Sequence, residues 1–178
     1  DMIDYALEGE KLSSDSPHAD NIVPCLSGGL VLIKETYPLD FIQLPVGPFY
    51  LVIIHPDILI NTKMARELLP EKITLKTAVK QWGNISALTY GFAVNDIGII
   101  KSSMKDFIVE PVRSKLIKGF SEIQSSAIRN GAIGSSISGS GPSIFALCEN
   151  KNDAQSILNA MCNAAKKNNL RYQSYISS

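Results

Sequence analysis

The sequence predicts an α+β protein of two layers, and three observations indicate this class. Short strand-like segments rich in β-branched residues alternate with longer segments in which apolar residues recur every three or four positions. A glycine- and serine-rich stretch separates two of the strand-like segments. From Phe49 onward the predicted order is strand, several helices, strand, loop, strand, helix, strand. That order is typical of a split βαβ, or ferredoxin-like, arrangement whose first crossover is enlarged into a small helical bundle.

Composition narrows the classes of partner that we expect. The chain has 178 residues, 45% of them hydrophobic, which is enough for one core and part of a second. Its 17 basic residues equal its 17 acidic ones, so no overall charge favours a nucleic acid or a membrane as a partner. No apolar run approaches the roughly 18 residues that a bilayer span requires. The three cysteines, Cys25, Cys148 and Cys162, show no paired spacing, which predicts reduced core thiols in a cytoplasmic protein.

The first 47 residues read as a separate part of the chain. Residues 1–12 have a helical pattern and lead into a polar loop, residues 13–17. Residues 30–33 form a strand candidate, and a connector with three prolines, residues 34–48, contains a short strand near residues 41–44. We therefore predict a domain boundary between residues 47 and 48. The opening residues lie within a helical pattern, so we also expect a preceding segment.

The second part begins with a wholly apolar segment, residues 49–54, which predicts a strand buried on both faces. Asn61 or Thr62 is expected to cap a helix over residues 63–69, and Thr74 a longer helix. Six apolar residues of that longer helix predict a stripe facing the core: Leu75, Val79, Trp82, Ile85, Leu88 and Phe92.

Three more helices follow in this prediction. Asp96 is expected to cap a short one, and Glu110 with Pro111 to begin another that continues through Ile123. Asn152 or Asp153 would cap the last helix, before a strand over residues 170–176.

The glycine-rich stretch Gly131-Ala-Ile-Gly-Ser-Ser-Ile-Ser-Gly-Ser-Gly-Pro-Ser143 is the first candidate binding element. Its glycines permit positive φ, and its hydroxyl and N–H groups could surround an anion. The stretch has neither the Walker A pattern nor the Rossmann fingerprint. A β-turn without a ligand therefore remains an open alternative.

Charged residues supply the other candidates. Arg66 and Arg113 each lie near a predicted helix start, where a guanidinium group could bind a carboxylate or phosphate, although both could be surface residues. His18, Asp20 and Asn21 could be metal ligands, a catalytic pair or substrate contacts, and Asp20 could simply cap a helix. Glu8 and Glu10 point to different sides of one helix, so at most one can supply a carboxylate to Mg²⁺.

Four separate segments together resemble the homoserine kinase family of the GHMP small-molecule kinases. They are His18-Ala-Asp-Asn-Ile-Val-Pro24 with the Gly28-Gly29 pair, Asn61-Thr-Lys-Met-Ala-Arg66, Val109-Glu-Pro-Val-Arg113 and the glycine-rich stretch. The resemblance implies a GHMP-type fold: residues 1–47 would end a ribosomal S5 domain 2-like N-terminal domain, and residues 48–178 would form a ferredoxin-like C-terminal domain. It also implies ATP-dependent, Mg²⁺-requiring phosphorylation of the L-homoserine hydroxyl in threonine biosynthesis.

The same resemblance implies a role for each candidate residue. Asn21 and Thr62 would be catalytic, with Asn21 holding the acceptor hydroxyl. Arg66 and Arg113 would bind the substrate carboxylate, and His18 and Asp20 would contact the substrate.

The resemblance also implies the residues that bind the nucleotide and the metal. Gly139, Ser140 and Gly141 would border the nucleotide phosphates. Glu10, or alternatively Glu8, would bind the metal.

The family's main ATP-binding loop is absent from these residues, so we expect the chain to be the second half of an enzyme. Its partners would be L-homoserine and the missing N-terminal half, and homodimers are common in the family. We expect the chain alone to be inactive. A kinase for mevalonate or a sugar, and a non-catalytic ferredoxin-like module, are the alternatives.

Overall fold

A computed structural model describes residues 2–13 and 19–178, except for the side chains of residues 11–13, 62 and 63. The chain divides into two compact units, Asp1–Gly47 and Pro48–Ser178. None of the described helices combines the length and the apolar composition that a membrane span requires.

The first unit contains two helices and one hairpin. Helices α1 (Met2–Ser13) and α2 (Ala19–Ser27) precede strands β1 (Leu30–Thr36) and β2 (Leu39–Leu44). The strands are antiparallel, with Leu30 opposite Leu44 and Thr36 opposite Leu39. Both strands are longer than the sequence predicts, so much of the expected connector belongs to this hairpin. A small core of Leu7, Ala19 and Val23 packs against apolar residues of both strands.

The second unit is built on a four-stranded antiparallel sheet. Its strands are β3 (Tyr50–Pro56), β4 (Gly134–Ile137), β5 (Ile144–Cys148) and β6 (Tyr172–Ser177), in the spatial order β4-β5-β3-β6. The helices of the unit are α3 (Thr62–Glu67), α4 (Leu75–Ala93), α5 (Ile97–Ser103), α6 (Glu110–Arg113), α7 (Phe120–Arg129) and α8 (Lys151–Lys167). In the chain, helices α3 to α7 all lie between β3 and β4, the first two strands of this sheet. The predicted ferredoxin-like order with an enlarged first crossover is therefore confirmed.

The core of this unit lies on one face of the sheet. Val52 and Ile54 of β3 are completely buried there, together with Ile123 of α7 and Met161 of α8. Leu51, which points to the other face, is 38% exposed. The prediction that β3 is buried on both faces is therefore wrong, because the described helices of the core cover only one side.

Side-chain caps begin four of the six helices of the second unit. Thr74 Oγ1 accepts a hydrogen bond from the N–H of Thr77, and Asp96 Oδ1 accepts one from the N–H of Ile99, as the sequence predicts. Asn61 caps α3 in the same way. Helix α8 is capped by Asn150 rather than by Asn152 or Asp153, since Asn150 Oδ1 accepts from the N–H of Asp153.

The single helix predicted from Glu110 through Ile123 is wrong. Helix α6 ends at Arg113 and continues as a 3₁₀ turn, Ser114–Leu116, before α7 starts at Phe120. Gly119 between them has a φ of 73°. A Cβ at this position would also lie 2.6 Å from Cγ of Asn168, so the break depends on a distant part of the chain as well as on the glycine.

The predicted core stripe of α4 is also wrong for most of its length. Leu75, Val79, Trp82 and Ile85 are between 48% and 73% exposed, whereas Phe92 is buried. Phe92 contacts Phe49 edge to face, with ring centroids 5.9 Å apart. Only the C-terminal end of the stripe therefore faces the core.

The three cysteines are free thiols in different environments. Cys148 is buried, Cys162 is half-buried and Cys25 is exposed, so the expectation of core thiols fails for Cys25. Burial raises the pKa of the Cys148 thiol, and the nearby Asp153 carboxylate raises it further. Cys148 therefore stays uncharged and acts as a small apolar side chain.

Candidate functional site

Arg113 joins three segments of the second unit. Its Nη1 donates a hydrogen bond to the carbonyl oxygen of Gly139 at 3.0 Å, and its Nε donates a longer one, 3.5 Å, to that of Ala65. Ala65 directly precedes Arg66 on α3. The guanidinium group of Arg113 thus lies between α3 and the glycine-rich stretch, two segments that the sequence analysis placed in one site.

A hydrogen-bond network fixes the helix that carries Arg113. The carboxylate of Asp106 accepts from the N–H groups of Ile108, Val109 and Glu110, at 2.7–3.1 Å, and so orders the start of α6. Glu110 accepts from Gln124 Nε2 at 3.1 Å and from the hydroxyl of Ser136. These bonds connect α6, which ends at Arg113, to α7 and β4.

The glycine-rich stretch forms the connection between β4 and β5. The N–H of Ser138 donates to Ser143 O, and the N–H of Gly141 donates to Ser138 O, both at 2.9 Å. Gly139 and Gly141 have φ values of 58° and 82°, which favour glycine. The N–H groups of Gly139 and Ser140 donate to no described residue, while binding of an anion by this turn stays a prediction.

His55, at the end of β3, is a neighbour of this turn that the sequence analysis did not assign. Its Nδ1 lies 2.7 Å from the hydroxyl oxygen of Ser143. Only its position, at a strand end before a proline, could have drawn attention to it. The contact links the last turn residue to the central strand of the sheet.

Arg66 is the second predicted carboxylate ligand. It is exposed on α3 and takes part in an interaction within the protein. The structure therefore brings the backbone of α3 beside Arg113, while a shared site for the two guanidinium groups stays a prediction. The side chain of Thr62, on the same helix, lies outside the described residues.

The remaining predicted residues belong to the first unit. Asp20 and Asn21 are exposed in the first turn of α2, and His18 lies outside the described residues. On α1, Glu8 is exposed and Glu10 is half-buried, and both interact within the protein. No group of three His, Cys, Asp or Glu side chains that could hold a metal is present among residues 2–13 and 19–178. One carboxylate from α1 still suits Mg²⁺, which commonly takes one or two protein carboxylates.

Comparison with known proteins identifies the second unit. The family model described as "GHMP kinases C terminal" matches residues 86–167, from the middle of α4 to the end of α8. The chain carries a GHMP kinase C-terminal domain. Glu110, Arg113 and the glycine-rich turn all lie within the matched part of this GHMP kinase domain.

Two relatives that match most or all of this chain at more than 40% identity are homoserine kinases. The chain is 43% identical over 162 residues to a homoserine kinase of Chlorobium phaeobacteroides (strain BS1), a match covering 90% of this chain and 51% of that protein. A crystal structure of homoserine kinase from Cytophaga hutchinsonii superposes with a TM-score of 0.97 at 47% identity, covering 100% of this chain and 57% of that one. The chain thus spans about half the length of these relatives.

A more distant structure shares the fold alone. Mevalonate kinase of L. major, solved with R-mevalonate, superposes with a TM-score of 0.72 at 14% identity. The two proteins therefore share a fold although few of their residues are identical.

Proposed function

We propose that this chain is part of an enzyme that transfers a phosphoryl group from ATP to the side-chain hydroxyl of L-homoserine. The product would be O-phospho-L-homoserine, an intermediate on the route to threonine. The observation that carries the proposal is the position of Arg113, hydrogen-bonded to the glycine-rich turn and to α3. Identity of 43–47% to homoserine kinases supports it.

Homoserine is a small zwitterion, and Arg113 suits its carboxylate. A guanidinium group has five N–H donors, and the two bonds to Gly139 and Ala65 leave three for a ligand. Because these bonds already orient the group, little side-chain entropy is lost on binding. In this proposal Arg66 is the second carboxylate ligand, and His18 and Asp20 contact the rest of the substrate.

The hydroxyl and the phosphates are assigned to other residues. Asn21 would orient the acceptor hydroxyl, and Thr62 would be the second catalytic residue. Gly139, Ser140 and Gly141 would border the phosphates, where the unbonded N–H groups of Gly139 and Ser140 can donate. Glu10, or alternatively Glu8, would hold Mg²⁺, which offsets phosphate charge when bound. Phosphoryl transfer depends mainly on alignment and charge stabilisation, so this set needs no strong base.

The proposal extends to the setting of the enzyme. Because the chain spans about half of its relatives, we infer that the first unit completes an S5 domain 2-like domain and that the chain alone is inactive. Free thiols at all three cysteines support a cytoplasmic location. A homodimer is also part of this proposal. Homoserine is favoured over mevalonate as the substrate, because the chain is 47% identical to a homoserine kinase and 14% identical to a mevalonate kinase.

The test is Arg113→Leu in the full-length enzyme. Loss of a charge-assisted bond to the carboxylate should raise KM for homoserine at least about tenfold, equivalent to about 1.4 kcal/mol, with KM for ATP changed less than threefold. Arg113→Lys keeps the positive charge but lacks the planar guanidinium group, so its KM for homoserine should lie between those of the wild type and Arg113→Leu. Arg171→Leu is the control, because Arg171 is exposed and pairs only with exposed Asp57 among the described residues. Equal changes in both KM values would contradict the assignment.

A further inference from the structure

A cavity in the second unit lies apart from the residues proposed to contact homoserine, nucleotide or metal, although Asp106, Glu110 and Gln124, which hold α6, line it. It has a volume of about 640 Å³, is open to solvent on one side and is lined by the end of α5, the connector to α6, one side of α7 and the start of β4. Volumes of about 300–1,000 Å³ are typical of small-molecule sites. None of the residues predicted to bind homoserine, nucleotide or metal lines this cavity.

The acidic side chains of the cavity wall have hydrogen-bond partners, whereas its basic side chains have no ion-pair partner among the described residues. Two acidic residues, Asp106 and Glu110, already accept hydrogen bonds at both carboxylate oxygens. Three basic residues, Lys101, Lys105 and Arg129, are exposed and form no ion pair with any described residue. The acids are therefore committed to the fold, while the cations are free to meet a ligand.

The start of β4 adds a second observation. Ser135 is 4% exposed, and its hydroxyl oxygen has no hydrogen-bond partner among the described residues. Buried hydroxyl groups without a partner are uncommon in native structures. Ser135 belongs to the cavity wall.

The remaining wall is apolar and closely packed. Met104, Phe107, Ile128 and Ile133 line the cavity. Met104 lies against Gly134 so closely that a Cβ on that glycine would be 1.9 Å from its sulfur. An apolar wall next to three unpaired cations suits a ligand that has an anionic group on an apolar body.

We propose that this cavity is a second ligand site, for a small organic anion with a carboxylate or phosphate group. Lys101, Lys105 and Arg129 bind the anionic group, and the apolar residues contact the body. Glu110 lines the cavity and begins the four-residue helix that ends at Arg113. A bound anion therefore shifts α6 and alters homoserine binding; this last step rests on the proposed function.

Binding is tested on the 178-residue chain by amide NMR titration at constant ionic strength. The probes are benzoate, inorganic phosphate and, as a neutral match to benzoate, benzyl alcohol. We expect saturable shifts at residues 101–106, 125–129 and 133–135 with at least one anion and none with benzyl alcohol. Stronger binding of benzoate indicates a carboxylate ligand, and stronger binding of phosphate a phosphorylated one. The absence of saturable shifts with both anions would overturn the site.

Matched double variants separate a site from general charge attraction. Lys105→Gln with Arg129→Gln should weaken anion binding at least tenfold. Lys118→Gln with Lys166→Gln removes the same charge from exposed positions outside the cavity and should leave binding within twofold. Equal weakening by both pairs would refute a specific site.

Coupling is tested separately in the full-length enzyme. The better-bound anion should change KM for homoserine at least threefold, and the cavity double variant should remove that change. If the anion binds in the cavity without any change in KM for homoserine, the coupling is refuted but the second ligand site is not. An enzyme without homoserine kinase activity would refute the proposed function without affecting the NMR result.

Discussion

Helices α4 and α8 have the same apolar periodicity, but the apolar face of α8 is buried and most of that of α4 is exposed to solvent. In α8, Ala154, Ile157, Met161 and Ala165 are completely buried against the sheet and α7. In α4, Leu75 is 73% exposed and Trp82 60% exposed. Periodicity therefore shows which side chains share a face of a helix, but not which face the protein covers.

The reason lies on the other side of α4, which packs against α5 and the connector after it. Asn84 Nδ2 donates to the carbonyl oxygens of Ser103 and Lys105, at 2.7 and 2.6 Å. Gln81 Oε1 accepts from the N–H of Phe107 at 3.0 Å. Gly91 permits close contact with α5, because a Cβ there would lie 3.0 Å from the backbone nitrogen of Ile100. Polar and small side chains of α4 thus point into the protein, whereas the apolar residues Leu75, Val79, Trp82 and Ile85 point out and only Phe92, near the C-terminal end, faces the core.

The largest expected effect of a substitution is in α8. Met161→Ala removes a completely buried side chain and should lower the free energy of unfolding by about 2–5 kcal/mol, measured by urea denaturation followed by circular dichroism. Met64→Ala is the matched control, because Met64 is 62% exposed on α3 and should change stability by less than about 0.5 kcal/mol. Similar losses in the two variants would contradict the assigned core.

A smaller effect is expected on the inward face of α4. Asn84→Ala leaves two carbonyl groups without their side-chain donor and should cost about 1–3 kcal/mol. Hydrogen exchange should accelerate at the amides of α5 more than at those of α8. Asn159→Ala, on the exposed side of α8, should have little effect on either measurement. Unchanged exchange in α5 would show that Asn84 does not hold the two helices together.

The smallest effect is expected on the outward face of α4. Trp82→Ala should alter the free energy of unfolding by less than about 1 kcal/mol, since the side chain is 60% exposed. Trp82 is the only tryptophan of the chain, so its fluorescence reports this face directly. Acrylamide should quench the native protein nearly as well as the urea-unfolded one. Strong protection from quenching would mean that the outward face is covered in solution.

Local signals allowed much of the fold to be predicted. Thr74 and Asp96 cap their helices through bonds to residues three positions ahead, so the sequence contains both partners. The single-sided burial of β3 and the helix break at Gly119 were missed. Both depend on distant segments, Gly119 through its contact with Asn168.

The candidate site divides in the same way. Residue type and motif indicated Arg113 and the glycine-rich turn, which the structure joins by a hydrogen bond. The contacts between Ser136 and Glu110, 26 positions apart, and between His55 and Ser143, 88 apart, were missed. Such pairs become neighbours only when the sheet assembles, so no spacing in the sequence reveals them.

Gly141 shows that the shape of the glycine-rich turn is fixed by contacts within the second unit. A Cβ at this position would lie 3.1 Å from Ile117 and 3.4 Å from both Ile137 and Ile60, so the backbone rests on a floor of three isoleucines drawn from separate segments. An anion bound there as proposed would therefore meet a turn that is already formed, because the conformational entropy of the turn is lost during folding rather than on binding.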